Sequence, residues 1–217
     1  MPAQPRTSVV VATRNRAAEL ARTLTRLAEL DPPPPVVVVD NASTDDTART
    51  AAEFPHVTLV RLAHNAGAAG RNAGVEQVTT PFVAFSDDDS WWAPDALPRA
   101  ERVLAAHPRV GLVAAATLVG PEEVPDPVNA DLLAGPLTPV PGAPGPPVLG
   151  FLACAAVVRT CAFRQVGGFS TLLRFGAEET LLAYDLAASG WTLCHVEDVR
   201  AHHHPSSHRM DADERRV

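Results

Sequence analysis

The sequence contains no lysine, so all 18 of its basic residues are arginine. They stand against 25 acidic residues and leave a formal net charge of −7. This balance argues against a surface that binds nucleic acid or anionic lipid by charge alone, because those partners attract basic patches. We therefore expect no nucleic-acid partner, and a phosphate-bearing ligand would have to be held by a few local groups.

Cysteine is scarce and long apolar runs are absent. The three cysteines Cys154, Cys161 and Cys194 are odd in number and lack CxxC spacing, so the sequence indicates neither a disulfide framework nor a zinc site. The first six residues do not resemble a secretion signal, and no apolar run reaches the ~18 residues that a membrane span needs. These features predict a cytoplasmic protein without a transmembrane segment, and peripheral contact with the inner face of a membrane stays open.

Strand and helix patterns alternate through the first half of the chain. Apolar runs typical of buried strands occur at 8–12, 36–39, 57–60, 82–87 and 110–119, with helical spacing between them. Such alternation predicts an α/β fold with a mostly parallel sheet and right-handed crossovers. The pattern breaks at 121–147, where nine prolines in 27 residues predict a long irregular loop. Regular patterning then resumes at 148–158 and 159–166, followed by a helix at 178–189 and a strand at 191–196.

Three carboxylates, Asp87, Asp88 and Asp89, stand where a predicted strand ends. Adjacent aspartates repel one another and have poor strand propensity, so a divalent metal between them would explain the cluster. The alternative is a solvated acidic turn. Thr13 and Asp40 also stand at the ends of predicted strands, and ligands of open α/β sheets bind at that edge. This convergence favours a site for a metal-bound phosphate ligand.

Seven short segments have counterparts, in the same order, in one enzyme family. They are 8–16, 38–45, 65–67 with 71–74, 85–89, 167–169, 178–179 and 190–191. Together they resemble the motifs of family 2 glycosyltransferases. The resemblance implies a GT-A-type, Rossmann-like sandwich with helices on both faces of the sheet. It also implies an inverting, metal-dependent transfer of a sugar from a nucleoside diphosphate, with UDP or dTDP favoured, to a hydroxyl of a glycan, lipid or small molecule.

The resemblance also suggests how the chain is organised. Residues 1–217 are interpreted as a single domain. Its nucleotide-sugar-binding half would be 1–119, its variable loop 120–148, and its acceptor and catalytic half 149–217.

Nucleotide-binding roles follow from the resemblance. Asp40 is expected to accept a hydrogen bond from a base N–H, although it could simply open the turn that follows it. Arg71 is expected beside the nucleotide and its phosphates, the alternative being an ordinary surface arginine. The predicted nucleotide-binding set is Thr13, Asn15, Arg16, Asp40, Arg71, Asp87 and Asp88.

Metal ligation is implied for Asp87, Asp89 and one histidine near the end of the chain. The run 202–204 offers three histidines, and the distance from Gly190 favours His203. Alternate residues of an extended segment face opposite ways, so its two neighbours would point away. A plain polar strand end is the alternative. The metal, Mg²⁺ or Mn²⁺, would bridge to the donor diphosphate.

The pair Glu178 and Glu179 occupies the place of the family's catalytic acids. The second acid, usually an aspartate, takes a proton from the acceptor hydroxyl, and in-line attack then inverts the anomeric centre. Here that position is Glu179, one methylene longer. The alternative is that both carboxylates only stabilise the start of a helix.

Two other functions stay open. One is a sugar-nucleotide-binding module without catalysis, which Glu179 in place of aspartate and the proline-rich insertion would favour. The other is a nucleotidyltransferase, which would normally carry a basic, glycine-rich loop after the first strand, where 13–16 has no glycine. A dinucleotide-binding dehydrogenase fits less well, because the glycines at 67, 70 and 74 do not have G-x-G-x-x-G spacing.

Overall fold

The computed structural model describes residues 5–173 and 176–206. The strands are β1 (Thr7–Thr13), β2 (Val36–Asp40), β3 (Val57–Arg61), β4 (Phe82–Asp87), β5 (Ser90–Trp92), β6 (Val110–Val119), β7 (Val124–Pro125), β8 (Ala156–Arg159) and β9 (Thr192–His203). The helices are α1 (Ala17–Ala28), α2 (Thr47–Ala52), α3 (Gly70–Glu76), α4 (Ala96–Ala106), α5 (Pro127–Leu133), α6 (Thr160–Gln165) and α7 (Glu178–Ala188). All nine strands belong to one sheet in the order β3-β2-β1-β4-β8-β6-β9-β5, with β7 paired to β6.

The amino-terminal part of the sheet is parallel. β1 lies between β2 and β4, and β3 pairs with the outer side of β2, all in the same direction. Strand β2 is almost entirely valine and is buried along its whole length, as a strand covered on both faces requires. The predicted α/β class is confirmed.

The rest of the sheet mixes directions. β8 runs antiparallel to both β4 and β6, whereas β6 and β9 are parallel. Parallel pairing therefore holds for β3-β2-β1-β4 and for β6-β9, but not where β8 lies between β4 and β6. A buried apolar run does not encode strand direction. Strand β9 also continues to His203, well past the predicted end at 196, because its exposed residues at 197 and 198 interrupt the apolar pattern without ending the strand.

The proline-rich segment contains regular structure that the sequence did not predict. Helix α5 begins with Pro127 in its first turn, and Asp126 caps it by accepting a hydrogen bond from Val128 N–H at 2.9 Å. Proline is compatible with the first turn of a helix, where its missing N–H has no partner to lose. Within the regular pattern expected at 148–158, Ala153–Ala155 forms a 3-10 turn, and strand β8 begins only at Ala156.

Helices cover both faces of the sheet, as predicted. One apolar cluster joins alternate residues of β1 to α1 and α4, with Leu20, Leu24 and Leu104 fully buried. The apolar cluster on the opposite face joins Val10 of β1, and residues of β2 and β4 on the same face, to α3, α6 and α7. Among the described residues, none of the helices has both the length and the apolar character that crossing a bilayer demands.

Helix α3 packs against the sheet without an intervening side chain at Gly74. A Cβ built there would lie 2.5 Å from a Val10 methyl and 2.8 Å from a Val39 methyl. This close approach fixes the height of α3 over β1 and β2. The helix in turn carries Arg71 towards the carboxyl ends of the strands.

Candidate active site

Three polar side chains align across the carboxyl edge of the parallel strands. Thr13 at the end of β1 is in register with Asp40 of β2, and Asp40 is in register with Arg61 of β3. Asp87 ends β4 one step away, opposite Ala12. The structure thus places the predicted hydroxyl, carboxylate and acidic triplet along one edge, and it adds a guanidinium that the sequence analysis did not single out.

Asp40 is fully buried and has partners for both carboxylate oxygens. Oδ1 accepts a hydrogen bond from Ser43 N–H at 2.9 Å, and Oδ2 lies 3.3 Å from Arg61 Nε. The side chain exposes no surface. The turn-opening role is therefore observed, whereas direct contact with a base stays a prediction.

Asn15 and Arg16 fasten the loop after β1 to the loop after β2. Asn15, in the left-handed region with φ of 53°, accepts a hydrogen bond from Thr44 N–H at 2.8 Å. The N–H of Arg16 donates to Thr47 Oγ1 at 2.9 Å. Two guanidinium nitrogens of this loop, Arg14 Nε and Arg16 Nη1, are buried with no hydrogen-bond partner among the described residues.

Arg71 is not a surface arginine, because only 9% of it is exposed. Its guanidinium forms an ion pair with the Asp87 carboxylate and lies over the Phe169 ring, 5.6 Å from the centroid. Burial alone would favour its neutral form, but the charges of Asp87 and Glu179 hold the pKa of Arg71 above its ordinary value. One buried cation thus interacts with both the acidic triplet and the candidate general base.

Asp88 connects the triplet to two neighbouring elements by hydrogen bonds. Its carboxylate accepts a hydrogen bond from Thr13 Oγ1 at 2.8 Å, and its carbonyl accepts one from Thr23 Oγ1 at 2.7 Å. Burial and the charge of Asp89 raise the pKa of Asp88 to about 7. Asp88 therefore ties the triplet to β1 and α1.

Asp89 pairs with His203. Asp89 Oδ1 lies 3.5 Å from His203 Nε2, and Oδ2 accepts a hydrogen bond from Ser206 N–H at 3.3 Å. Burial opposes ionisation of Asp89, yet the hydrogen bond and charge of His203 hold its pKa below the ordinary value. The same hydrogen bond raises the pKa of His203.

The other two histidines of the run lie elsewhere, as alternation along the strand predicts. The His202 ring stacks at 5.9 Å from Trp91, and the His204 ring lies 4.5 Å from the same indole. His202 Nδ1 also faces Glu123 at 3.2 Å. Of the three imidazole rings, only that of His203 pairs with the triplet. The backbone N–H of His204 also donates to the Asp89 carbonyl, at 2.8 Å.

The residues present fit part of a metal site. No three His, Cys, Asp or Glu side chains group as a metal site within 5–173 and 176–206. Asp89 and His203 form a two-residue arrangement, while Asp87 faces Arg71. Mg²⁺ commonly binds one or two carboxylates and takes its remaining ligands from substrate phosphates and water. The pair therefore fits a metal that is completed by a diphosphate, and direct ligation by Asp87 stays a prediction.

The two glutamates open α7 after Ala177, whose φ is 65°. Glu178 is 7% exposed, and its Oε2 has no hydrogen-bond partner among the described residues. Burial and the charge of Glu178 raise the pKa of Glu179, although the charge of Arg71 acts in the opposite direction. A raised pKa suits a carboxylate that accepts a proton near neutral pH.

Sequence reasoning missed several residues around this site. Arg61 and Thr23 had no motif to mark them, although Arg61 directly follows a predicted strand. Nothing in the sequence placed Cys154 beside the charged groups. Burial raises the pKa of its thiol well above the ordinary value, and the charges of Asp87 and Asp89 add to that effect.

The curled mixed sheet and the charged groups at its carboxyl edge define a GT-A-type domain. The glycosyl transferase family 2 model matches residues 8–166, so the chain belongs to glycosyl transferase family 2. Comparison with curated proteins gave no match.

Two solved structures illustrate the likeness. The mannosyltransferase PcManGT from Pyrobaculum calidifontis, in complex with GDP-Man and Mn²⁺, is 28% identical with a TM-score of 0.73. TarS from S. aureus, in complex with UDP-GlcNAc, is 20% identical with a TM-score of 0.73, a likeness that shows the fold alone. The two alignments cover 93% and 94% of this chain but only 57% and 59% of those proteins. The chain thus spans somewhat more than half the length of each.

Proposed function

We propose that the protein is an inverting, metal-dependent glycosyltransferase that moves a sugar from a nucleoside-diphosphate donor to an acceptor hydroxyl. The observation that carries this proposal is the position of Arg71. It is paired with Asp87, and the charge of Glu179 also acts on its guanidinium, so the acidic triplet and the candidate base both stabilise one buried cation. The family membership and the Asp89–His203 pair support the same reading.

Buried donors without hydrogen-bond partners support an anionic ligand at the site, although Arg16 Nη1 also lies 3.7 Å from Glu19 Oε1. Arg14 Nε, Arg16 Nη1 and Arg71 Nε are buried without hydrogen-bond partners among the described residues. A buried donor without an acceptor is costly, at about 1–3 kcal/mol. A diphosphate would supply oxygens to such groups. PcManGT, whose structure holds GDP-Man and Mn²⁺, is consistent with a donor of this class. UDP and dTDP stay the donor nucleotides that the resemblance favours.

The proposed roles follow from the chemistry of transfer. Asp89 and His203 would hold Mg²⁺ or Mn²⁺, which stabilises negative charge on the departing nucleoside diphosphate. Glu179 takes the proton from the acceptor hydroxyl while the hydroxyl oxygen forms a bond to the anomeric carbon. The bond from that carbon to the diphosphate oxygen breaks on the opposite face, and the anomeric configuration inverts. The acceptor is a hydroxyl of a glycan, lipid or small molecule, and the predicted location is cytoplasmic.

Matched variants of two glutamates test the proposal. Glu179→Gln removes the base but not the donor site, so transfer should fall by about 10²-fold or more while nucleotide affinity is kept. Glu29→Gln, at an exposed glutamate of an α1 surface ion pair, is the control and should be fully active. Release of nucleoside diphosphate from a panel of sugar nucleotides, with and without acceptor glycans, is the readout.

The outcomes of this experiment distinguish the proposed function from its alternatives. Full activity of Glu179→Gln would show that Glu179 is not the base. Wild-type protein that binds sugar nucleotides at one per chain but turns none over would favour the non-catalytic binding module. Release of pyrophosphate instead of nucleoside diphosphate would favour a nucleotidyltransferase.

A further inference from the structure

Arg61 covers the carboxylate at which a base contact is expected. The Arg61 side chain is 64% exposed, whereas that of Asp40 exposes nothing. The two residues are in register on neighbouring strands, and Arg61 Nε lies 3.3 Å from Asp40 Oδ2. A ligand that approaches this part of the sheet edge from solvent therefore meets the guanidinium before it meets the carboxylate.

Most of the donors of Arg61 are free. A guanidinium has five N–H groups and accepts no hydrogen bond. Within residues 5–173 and 176–206, the Arg61 side chain makes one hydrogen bond, from Nε to Asp40. Its terminal Nη groups are consequently available to an acceptor on a ligand.

The pair differs from an ordinary surface ion pair. Exposed pairs usually join two flexible side chains and hold neither in place. Here Asp40 is fully buried, and Ser43 N–H fixes its second oxygen at 2.9 Å. The fixed carboxylate holds the guanidinium at the end of β3, in line with Asp40 and Thr13.

We infer that Arg61 is a base-reading residue of the donor site and that Asp40 acts on the base through it. Arg61 Nη donates to the exocyclic carbonyl O4 of uracil or thymine, or O6 of guanine. Cytosine and adenine carry an amine at that position, and an amine opposite a guanidinium leaves two donors facing each other. The inference rests on the proposed function, and it specifies the donor class as sugar nucleotides of lactam bases.

Nucleotide binding by the full chain tests the inference. Isothermal titration with UDP, GDP, CDP and ADP, each with Mn²⁺, gives four affinities. The discrimination ratio is the affinity for the preferred lactam nucleotide, UDP or GDP, divided by the affinity for the amino nucleotides CDP and ADP. Loss of one charge-assisted hydrogen bond is worth about tenfold in affinity. Arg61→Gln should therefore weaken the preferred nucleotide about tenfold, leave CDP and ADP no weaker, and so collapse the ratio.

Two further variants distinguish base recognition by Arg61 from a general effect of removing an arginine. Arg99→Gln removes another arginine whose Nε binds an aspartate, on α4, and should leave all four affinities unchanged. If Asp40 acts through Arg61, Asp40→Asn combined with Arg61→Gln should discriminate no worse than Arg61→Gln alone. Further loss in the double variant would show that Asp40 reads the base directly.

The results distinguish this inference from the proposed function. If wild-type protein binds none of the four nucleotides, the donor site itself is wrong and the inference falls with it. If wild-type protein binds a nucleotide and Arg61→Gln keeps the same ratio, only the role of Arg61 is wrong.

Discussion

The Asn72 side chain pairs with both backbone groups of Phe169. Its Nδ2 donates to the Phe169 carbonyl at 2.8 Å, and its Oδ1 accepts from the Phe169 N–H at 2.9 Å. The Phe169 ring in turn lies under the guanidinium of Arg71, the next residue of α3. One amide thus fixes the loop after α6 to the helix that carries the central cation of the site.

We predict that Asn72→Ala weakens both stability and nucleotide binding. It removes two hydrogen bonds and leaves partly buried backbone groups unpaired, so the free energy of unfolding should fall by about 1–3 kcal/mol. Phe169 then no longer holds Arg71 in place, and affinity for nucleoside diphosphate should also fall. Urea unfolding and isothermal titration measure the two effects.

Asn129→Ala is the matched control for that variant. Asn129 pairs in the same way with both backbone groups of Thr117, at 2.9 and 2.8 Å, but it lies in α5. Asn129→Ala should lower the free energy of unfolding by a similar amount and leave nucleotide affinity unchanged. Equal loss of affinity in both variants would show that Asn72 acts only through general stability.

The histidine run allows a prediction about metal dependence. In the wild-type protein, Mn²⁺ should increase the affinity for nucleotide. His203→Ala removes the partner of Asp89, so this increase should become at least about tenfold smaller. His202→Ala changes the adjacent residue, which lies against Trp91 and Glu123, and should keep the full gain. Titration of nucleotide with and without Mn²⁺ measures the gain. If His202→Ala loses it instead, the assignment of the metal ligand is wrong.

A third prediction concerns the pH dependence of transfer. Glu179 accepts a proton only when ionised, so kcat/KM should fall as the pH drops through its pKa, which lies above the ordinary value of 4.5. The charge of Glu178 contributes to that raised pKa. Glu178→Gln removes the charge, so the acidic limb of the profile should move to lower pH. A limb that stays in place or moves to higher pH would contradict the coupling of the two carboxylates.

The local patterns of this sequence predict much of the fold. The run of valines in β2 predicts a strand that is buried on both faces. The leucine spacing of α1 predicts a helix that is buried along one stripe. The same patterns place Asp87 and Asp40 at one edge of the sheet. Of the imidazoles in the histidine run, only that of His203 pairs with the triplet, and alternation along an extended strand is enough to expect that.

What local patterns do not encode is the pairing between distant segments. The antiparallel insertion of β8 between β4 and β6 depends on tertiary packing, and nothing in the residues 156–159 marks it. The pairing of Arg61 with Asp40 likewise depends on the register of two strands that are 21 residues apart. Helix α5 was missed because a proline count cannot distinguish prolines that break helices from one that begins a helix.

The close approach of α3 to the sheet gives the last prediction. In Gly74→Ala the new methyl would meet side chains of Val10 and Val39 at 2.5 and 2.8 Å, and both valines are buried in the core. Neither can move without disturbing its strand, so the helix must shift outward, and overpacking of this kind costs about 1–3 kcal/mol. Because α3 carries Arg71, the shift should also weaken nucleotide binding. Gly150→Ala adds the same methyl where no atom lies within 4 Å, and it should change neither property. If urea unfolding shows the two alanine variants to be equally stable, α3 does not rest directly on β1 and β2.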